Sequence, residues 1–252
     1  MTEVRSVNRA LDILELLADQ QDGLLMIEIS KKLKIPPATL LSILNSLVQK
    51  GFIYRDNLSL RYHMGWKVAH IASRLNQTDL VLRVAIPVIN EKLRPFCEET
   101  ISMSVLDGRD VRFIYVNRGS NSNDLQVVQT IGGRLPAYAA GSGRSMMAFM
   151  PKDEVERLFP EVTFDPITDK TRTSKQDFLN DLESIRQKGY IYDEEESEKG
   201  VWAVCSCLRD KQNHPLAGIA IVVPMARIDD NNRKEWASML VDAVKEINIR
   251  LA

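Results

Sequence analysis

Two consecutive prolines, Pro36 and Pro37, constrain this 252-residue chain more than any other feature. Pro36 drives Ile35 out of helical backbone geometry, because the proline ring clashes with the residue before it. Pro37 lacks an N–H and has a fixed φ, so it suits only the first turn of a helix. A helix ahead of the pair must end near Lys34, and a new one must start at 37. Ile27, Ile29 and Leu33 mark the short helix ahead. In the segment that follows, "ATLLSILNSLVQ", steps of about 100° per residue put Leu40, Ile43, Leu44 and Leu47 on one face, and Gly51 supplies the stop.

Upstream, Val7, Leu11, Leu14 and Ala18 recur at helical spacing, with Ala10, Ile13 and Leu17 on the same face, over about residues 5–19. Downstream, "FIYRD" and "LRYHM" alternate like two strands joined by the turn residues "DNLS". Three helices followed by a β-hairpin is the winged helix-turn-helix order, in which the third helix enters the major groove of double-stranded DNA. Its outward face carries Ala38, Ser42, Asn45 and Gln49, with Leu41 and Ser46 at the edges. Small and amide side chains approach base edges closely: an amide pairs with adenine, and an apolar group touches a thymine methyl. We expect Ala38, Leu41, Ser42 and Asn45 at the bases and Thr39 and Gln49 nearer the backbone. Arg5, Arg9, Arg55 and Arg61 are the expected phosphate or minor-groove contacts. Charge alone does not single this region out, since residues 1–65 hold eight Lys and Arg against seven Asp and Glu.

The remainder reads as a separate α+β domain. "GWKVAHIASRLNQ" has the pattern of a linking helix, and the helical spacing restarts near residue 79, punctuated by Pro87 and Pro95. "ISMSVLDGRDVRFIYVNRG" reads as a hairpin, "LQVVQTI" as a strand and "SGRSMMAFM" as a helix. "DFLNDLESIRQKG" is a helix with Phe178, Leu182 and Ile185 inward and Gly189 as its stop. "VWAVCSCLRD" and "LAGIAIVVP" form a second hairpin, and a helix over about residues 233–249 ends the chain. The domains expected are 1–65, a linking helix 66–78, and 79–252. No apolar run reaches the roughly 18 residues of a membrane span, and the N-terminus lacks a signal-peptide core, so a cytoplasmic protein is expected. Cys97, Cys205 and Cys207 are too few and too irregular for a disulfide framework, and His63, His70 and His214 lack zinc-site spacing. Buried reduced thiols, no metal and no cofactor are expected.

Four segments in order resemble the IclR family of bacterial transcriptional regulators, over essentially the whole chain. "RSVNRALDILELL" is similar to the family's opening helix, and "EISKKLKIPPATLLSILNSLVQKGFI" to its helix-turn-helix. "GGRLPAYAAGSGRSMMAFMP" resembles the loop and helix beside its effector pocket, and "IRQKGYIYDEEESEKGV" its C-terminal signature. The resemblance implies a GAF-like effector-binding domain, a homodimer or homotetramer, and control of a catabolic operon, more commonly by repression, through a small metabolite. It departs at Leu41 and Ser42, where the family commonly has a basic or aromatic residue and an Arg. A frequent family cysteine aligns with Ala203, displaced from Cys205 and Cys207, and two frequent serines align with Ala220 and Val222.

The resemblance places a pocket between Pro136–Gly143 and the C-terminal hairpin. Gly141, Ser142, Gly143 and Asp193 are its polar side, and Ala203, Cys205, Ala220 and Val222 face them. Tyr138, Met103 and Trp202 add apolar surface. Loss of hydroxyls at 203, 220 and 222 fits either a more apolar ligand or a repacked core. Backbone N–H groups at 141–143, leading into a helix, suit a carboxylate effector. Two other functions stand against the regulator. An enzyme or metabolite-binding module with an accessory winged helix would use "AGSGR", but Gly143 directly follows Ser142, so the nucleophile-elbow spacing is absent and no catalytic residue is assigned. A protein-binding scaffold would show no affinity for DNA.

Overall fold

The computed structural model describes residues 4–78, 80–119 and 129–251. Its internal contacts group into two compact units, residues 1–79 and 80–252. In the first unit, α1 (Arg5–Ala18), α2 (Met26–Leu33) and α3 (Pro37–Gln49) precede a hairpin of β1 (Ile53–Arg55) and β2 (Tyr62–Met64), and α4 (Trp66–Thr78) follows. The proline turn is built as its chemistry demands. Lys34 ends α2 in the left-handed region at φ 53°, Ile35 is buried, and Pro37 opens α3. The Ser30 hydroxyl donates to the Ile35 carbonyl at 2.7 Å and locks the turn.

Ile13, Leu17, Leu24, Ile29, Ile35, Leu40, Leu44, Ile53 and Tyr62 form the core of this unit, with Ile43 and Leu47 packed against it. Two expectations change here. Val7 and Leu11 do not share the buried face of α1; with Val4 they stand 60%, 53% and 53% exposed in the order Val4, Val7, Leu11. Ile27 is likewise exposed, and Ile29 is the residue α2 buries. The hairpin is tied to the start of α2 by reciprocal backbone bonds between Leu24 and Tyr62, of 3.0 and 2.8 Å. At its tip the Asp56 carboxylate accepts from the Leu58 and Ser59 N–H groups and the Ser59 hydroxyl.

The second unit is a six-stranded antiparallel sheet in the order β5-β4-β3-β8-β7-β6, sandwiched between helices. Its strands are β3 (Thr100–Asp107), β4 (Asp110–Asn117), β5 (Arg134–Pro136), β6 (Tyr190–Glu194), β7 (Val201–Arg209) and β8 (Pro215–Pro224). On one face lie α5 (Leu80–Val88), which continues into a π-helical turn at Ile89–Leu93 after Pro87, and α9 (Asp230–Leu251). On the other lie α6 (Gly141–Met147) and α8 (Lys175–Lys188), with α7 (Lys152–Leu158) beside them. Residue alternation along each strand divides the interior in two. Ile101, Met103, Trp202, Val204, Ile219 and Ile221 pack under α5 and α9, while Ala203, Cys205, Cys207, Ala220 and Val222 pack under α6 and α8.

The strand expected over residues 125–131 falls largely outside the described residues. The three cysteines are free and buried, and no described helix is long and apolar enough to cross a membrane. The α3 packing yields a contrast within one helix. Leu40→Ala, at a wholly buried site, should cost about 2–5 kcal/mol of stability. Leu41→Ala, at a site 44% exposed, should stay within about 0.5 kcal/mol. Urea unfolding of the two variants measures the difference, and equal losses would contradict this orientation of α3.

Candidate functional site

Two sites emerge, one in each unit. On α3, Ala38, Leu41, Ser42, Asn45 and Gln49 are exposed and Thr39 is half-buried. Ser46 turns its hydroxyl back to the Ser42 carbonyl at 3.0 Å. The Ser42 hydroxyl and the Asn45 and Gln49 amides form no hydrogen bond among the described residues, so their donors and acceptors are presented to solvent. Arg5 is exposed and Arg9 half-buried on α1. Arg55 is exposed on the hairpin, its Nε donating to the Leu60 carbonyl and its guanidinium 5.7 Å from the Tyr62 ring centre. Arg61 corrects an expectation. It turns inward, donating to the Gly23 carbonyl at 2.9 Å and to Glu28 at 3.1 Å. Glu28 also accepts the Leu25 N–H at the start of α2. Arg61 therefore braces the hairpin against α2, and the phosphate role expected of it passes to Arg5, Arg9 and Arg55.

In the second unit a narrow cavity of about 20 Å³, room for about one water, lies between the sheet and the start of α6. Two cross-strand rows form its floor. One runs Thr100, Val222, Ala203, Asp193, and the next Ser102, Ala220, Cys205, Ile191. Phe113, Gln129, Leu135 and the Ser197–Glu198 segment complete the walls. Helix α6 reaches the floor only because its contacts lack side-chain bulk. A Cβ on Gly141 would meet Cys205 Sγ at 2.8 Å, one on Gly143 the Ala137 carbonyl oxygen at 2.3 Å, and one on Gly218 would meet Ser142 at 2.9 Å.

The electrostatics are dominated by carboxylates. Asp193 accepts four hydrogen bonds, from the Gly141 N–H, the Glu196 and Ser197 N–H groups, and the Ser197 hydroxyl, at 2.7–3.4 Å. Behind it Arg144, only 1% exposed, donates to Asp181 at 2.6 Å and to Glu196 at 2.9 Å. Arg172 joins the same two carboxylates from the rim. Burial raises the Glu196 carboxyl above its ordinary range, with Arg144 pulling the other way. Burial and the neighbouring Asp193 charge raise that of Glu198. Burial also pushes the Cys205 thiol well up, keeping it neutral.

Of the effector residues expected from sequence, Gly141, Ser142, Asp193, Ala203, Cys205, Ala220 and Val222 line this cavity. Met103 and Trp202 do not: strand alternation puts both on the opposite face of the sheet, under α5 and α9. Tyr138 stacks on Phe164 at 4.8 Å and donates to the Asp165 carbonyl, away from the walls. Pro136 and Gly143 also stand outside the lining, Gly143 being spent on its approach to Ala137. The free N–H groups expected at 141–143 are altered too, since an internal carboxylate already holds that of Gly141. The residues DEEESE, read as a solvated loop, hold Glu196 fully buried. Sequence reasoning missed Ser102, Ser104, Arg144 and Ser197. The alternation in "ISMS" was the available signal for the two strand serines; Ser104 donates to the Ser142 hydroxyl at 3.1 Å.

Comparison with known proteins places both sites in one family. A model of the IclR helix-turn-helix domain matches residues 6–57, and one of the bacterial transcriptional regulator IclR C-terminal region matches residues 73–249. The transcriptional repressor IclR of Escherichia coli is 26% identical over 98% of this chain and 90% of its own length. The crystal structure of the Thermotoga maritima IclR superposes with a TM-score of 0.82 at 24% identity, covering 99% of each chain. An IclR homologue from Microbacterium hydrocarbonoxydans, complexed with 4-hydroxybenzoate, superposes with a TM-score of 0.82 at 18% identity over 98% of each chain.

The buried ion cluster generates a stability prediction. Arg144→Ala should cost about 3–5 kcal/mol, because it strands Asp181 and Glu196 without their cation. The loss should depend on pH. Glu196 has a raised pKa in the folded protein, and removing the cation raises it further. Its protonation then favours the fold, so the deficit is full above the folded-state pKa and fades as pH falls through it towards the ordinary carboxylate value. Denaturation at a series of pH values measures this; a deficit that is constant with pH would contradict it.

Proposed function

The chain belongs to the IclR family of bacterial transcriptional regulators, and on that premise we propose that it represses an operon through α3, with a small molecule in the α6 cavity setting its hold on DNA. The observation that carries the reading is the exposed, uncharged and unpartnered stripe of Ala38, Ser42, Asn45 and Gln49 on a helix fixed by the proline turn. Arg5, Arg9 and Arg55 supply phosphate contacts, which position the helix without reading sequence. Residues 1–65 act as the DNA-binding domain, 66–78 as a linking helix, and 79–252 as the effector-binding and oligomerisation domain. The protein works in the cytoplasm, where bacterial operator DNA lies.

One domain with so small a charge excess binds DNA weakly, so two must act on one operator. Val4, Val7 and Leu11, more than half exposed on one face of α1, suit pairing with a second copy of this chain. A two-fold dimer presents its reading helices symmetrically and matches paired half-sites. The small-molecule role is supported by the cavity itself and by the ligand-bound Microbacterium homologue. A cavity of about 20 Å³ admits no organic metabolite until its walls part, and that parting couples occupancy to shape. A regulatory rather than catalytic use is supported by Ser142, whose hydroxyl partner is another serine and not a base.

Asn45→Ala tests the reading. It should weaken binding to the cognate upstream DNA by about 1–3 kcal/mol and leave random DNA nearly unaffected. Gel-shift titration on both duplexes measures it. Equal losses would assign Asn45 to the phosphate backbone, and no DNA binding by the native chain would overturn the regulator reading. In the same assay, affinity should fall steeply with salt, with a slope set by phosphate contacts from two chains.

A further inference from the structure

The charge around the cavity points to a particular class of ligand, an inference that rests on the effector-cavity reading above. The lining holds two carboxylates, Asp193 and Glu198, and no Lys, Arg or His among the described residues. The cations behind it, Arg144 and Arg172, are matched by Asp181 and Glu196. Two negative charges therefore remain without a cation. Residues 120–128, which precede Gln129 in the chain, contain no Lys, Arg or His in their sequence.

The hydrogen-bonding groups agree with the charges. Asp193 has its lone pairs occupied by four donors, so it acts on a ligand through its field. The carboxylate of Glu198, on the rim, makes no hydrogen bond or ion pair among the described residues, and desolvation already disfavours its charge. Gln129 Oε1 is buried without a donor. A glutamine amide can present either end, so Gln129 alone selects nothing; the two carboxylates decide, because an ionised carboxylate only accepts. The place an incoming anion would take at the start of α6 is already filled by Asp193. The remaining wall is apolar, from Phe113, Leu135, Val201, Ala203, Ala220 and Val222. A ring such as that of Phe113 also attracts a cation over its face.

We infer that the cavity selects an organic cation, an ammonium or amidinium on a compact apolar or aromatic body, in preference to a carboxylate. The carboxylate suggested by the sequence depended on a free N–H at Gly141, which the fold closes.

Three compounds of nearly one shape separate the alternatives: 4-hydroxybenzylamine, 4-hydroxybenzamide and 4-hydroxybenzoate. Binding of each to the full chain, followed by calorimetry at pH 7, should rank the amine at least tenfold tighter than the acid. Glu198→Gln should weaken the amine at least tenfold while moving the amide much less and relaxing the exclusion of the acid. Stabilisation by the acid at equal or higher affinity, or by none of the three, overturns the inference. So does an amine whose affinity ignores Glu198→Gln. A parallel gel shift keeps the two readings apart. Operator binding released by the acid and not by the amine overturns the charge assignment alone, whereas absence of operator binding overturns the regulator.

Discussion

A guanidinium buried at the base of α6 governs the architecture of the second unit. Arg144 cannot be left unpaired there, because an isolated charge in a low-dielectric interior is far costlier than any single packing defect. Its carboxylate partners come from α8 and from the turn after β6, 37 and 52 residues away in the chain. One side chain thus fixes three elements at a point. Asp193 does the same from the other side, joining β6, the first N–H of α6 and the 196–197 turn. The floor and back of the cavity are rigid for this reason. The front is not so bound: Glu198 and Gly200 are exposed, and the contacts there are cheaper to break. Opening for a ligand is accordingly a matter for the rim.

The first unit shows what a short sequence can and cannot reveal. The turn at Pro36–Pro37 and the buried side of α3 were legible, since proline acts on its immediate neighbours and a 3.6-residue period needs no partner. The width of the buried arc on α1 was not. Val7 and Leu11 fit the same periodic stripe as Ile13 and Leu17, and only the positions of α2, α3 and the hairpin decide how far round the helix burial extends. Arg61 was misread for a related reason. Its partners are the Gly23 carbonyl and Glu28, 38 and 33 residues away, and nothing local distinguishes a bracing arginine from a phosphate-seeking one.

In the sheet the difficulty is different. A sheet exposed on one side alternates polar and apolar residues, and the pattern names the inner face. Here helices cover both sides, and β7 is buried at every position from Trp202 to Leu208. Alternation then says which residues share a face but not which face holds the cavity. Met103 and Trp202 were assigned to the wrong one on that account. The serines of "ISMS" carried a usable hint, because hydroxyls buried under α6 need partners that the hydrocarbon layer under α5 and α9 lacks. Composition misled in the acidic loop, where one glutamate of the run is interior and its neighbours are not.

The two-sided sheet also separates two kinds of inheritance. Positions 102, 203, 205, 220 and 222 look into the cavity, while 101, 103, 202, 204, 219 and 221 hold the layer beneath α5 and α9. Adjacent residues along one strand therefore answer to different demands. Substitutions on the odd or even members alone can reshape what the pocket admits without disturbing the layer that keeps the unit folded. A lineage can change its chemical signal by point mutation at such positions. A single inserted residue, by contrast, would exchange the two sets along the rest of the strand and forfeit both at once. Descendants of such a chain are expected to diverge by replacement and to conserve strand length.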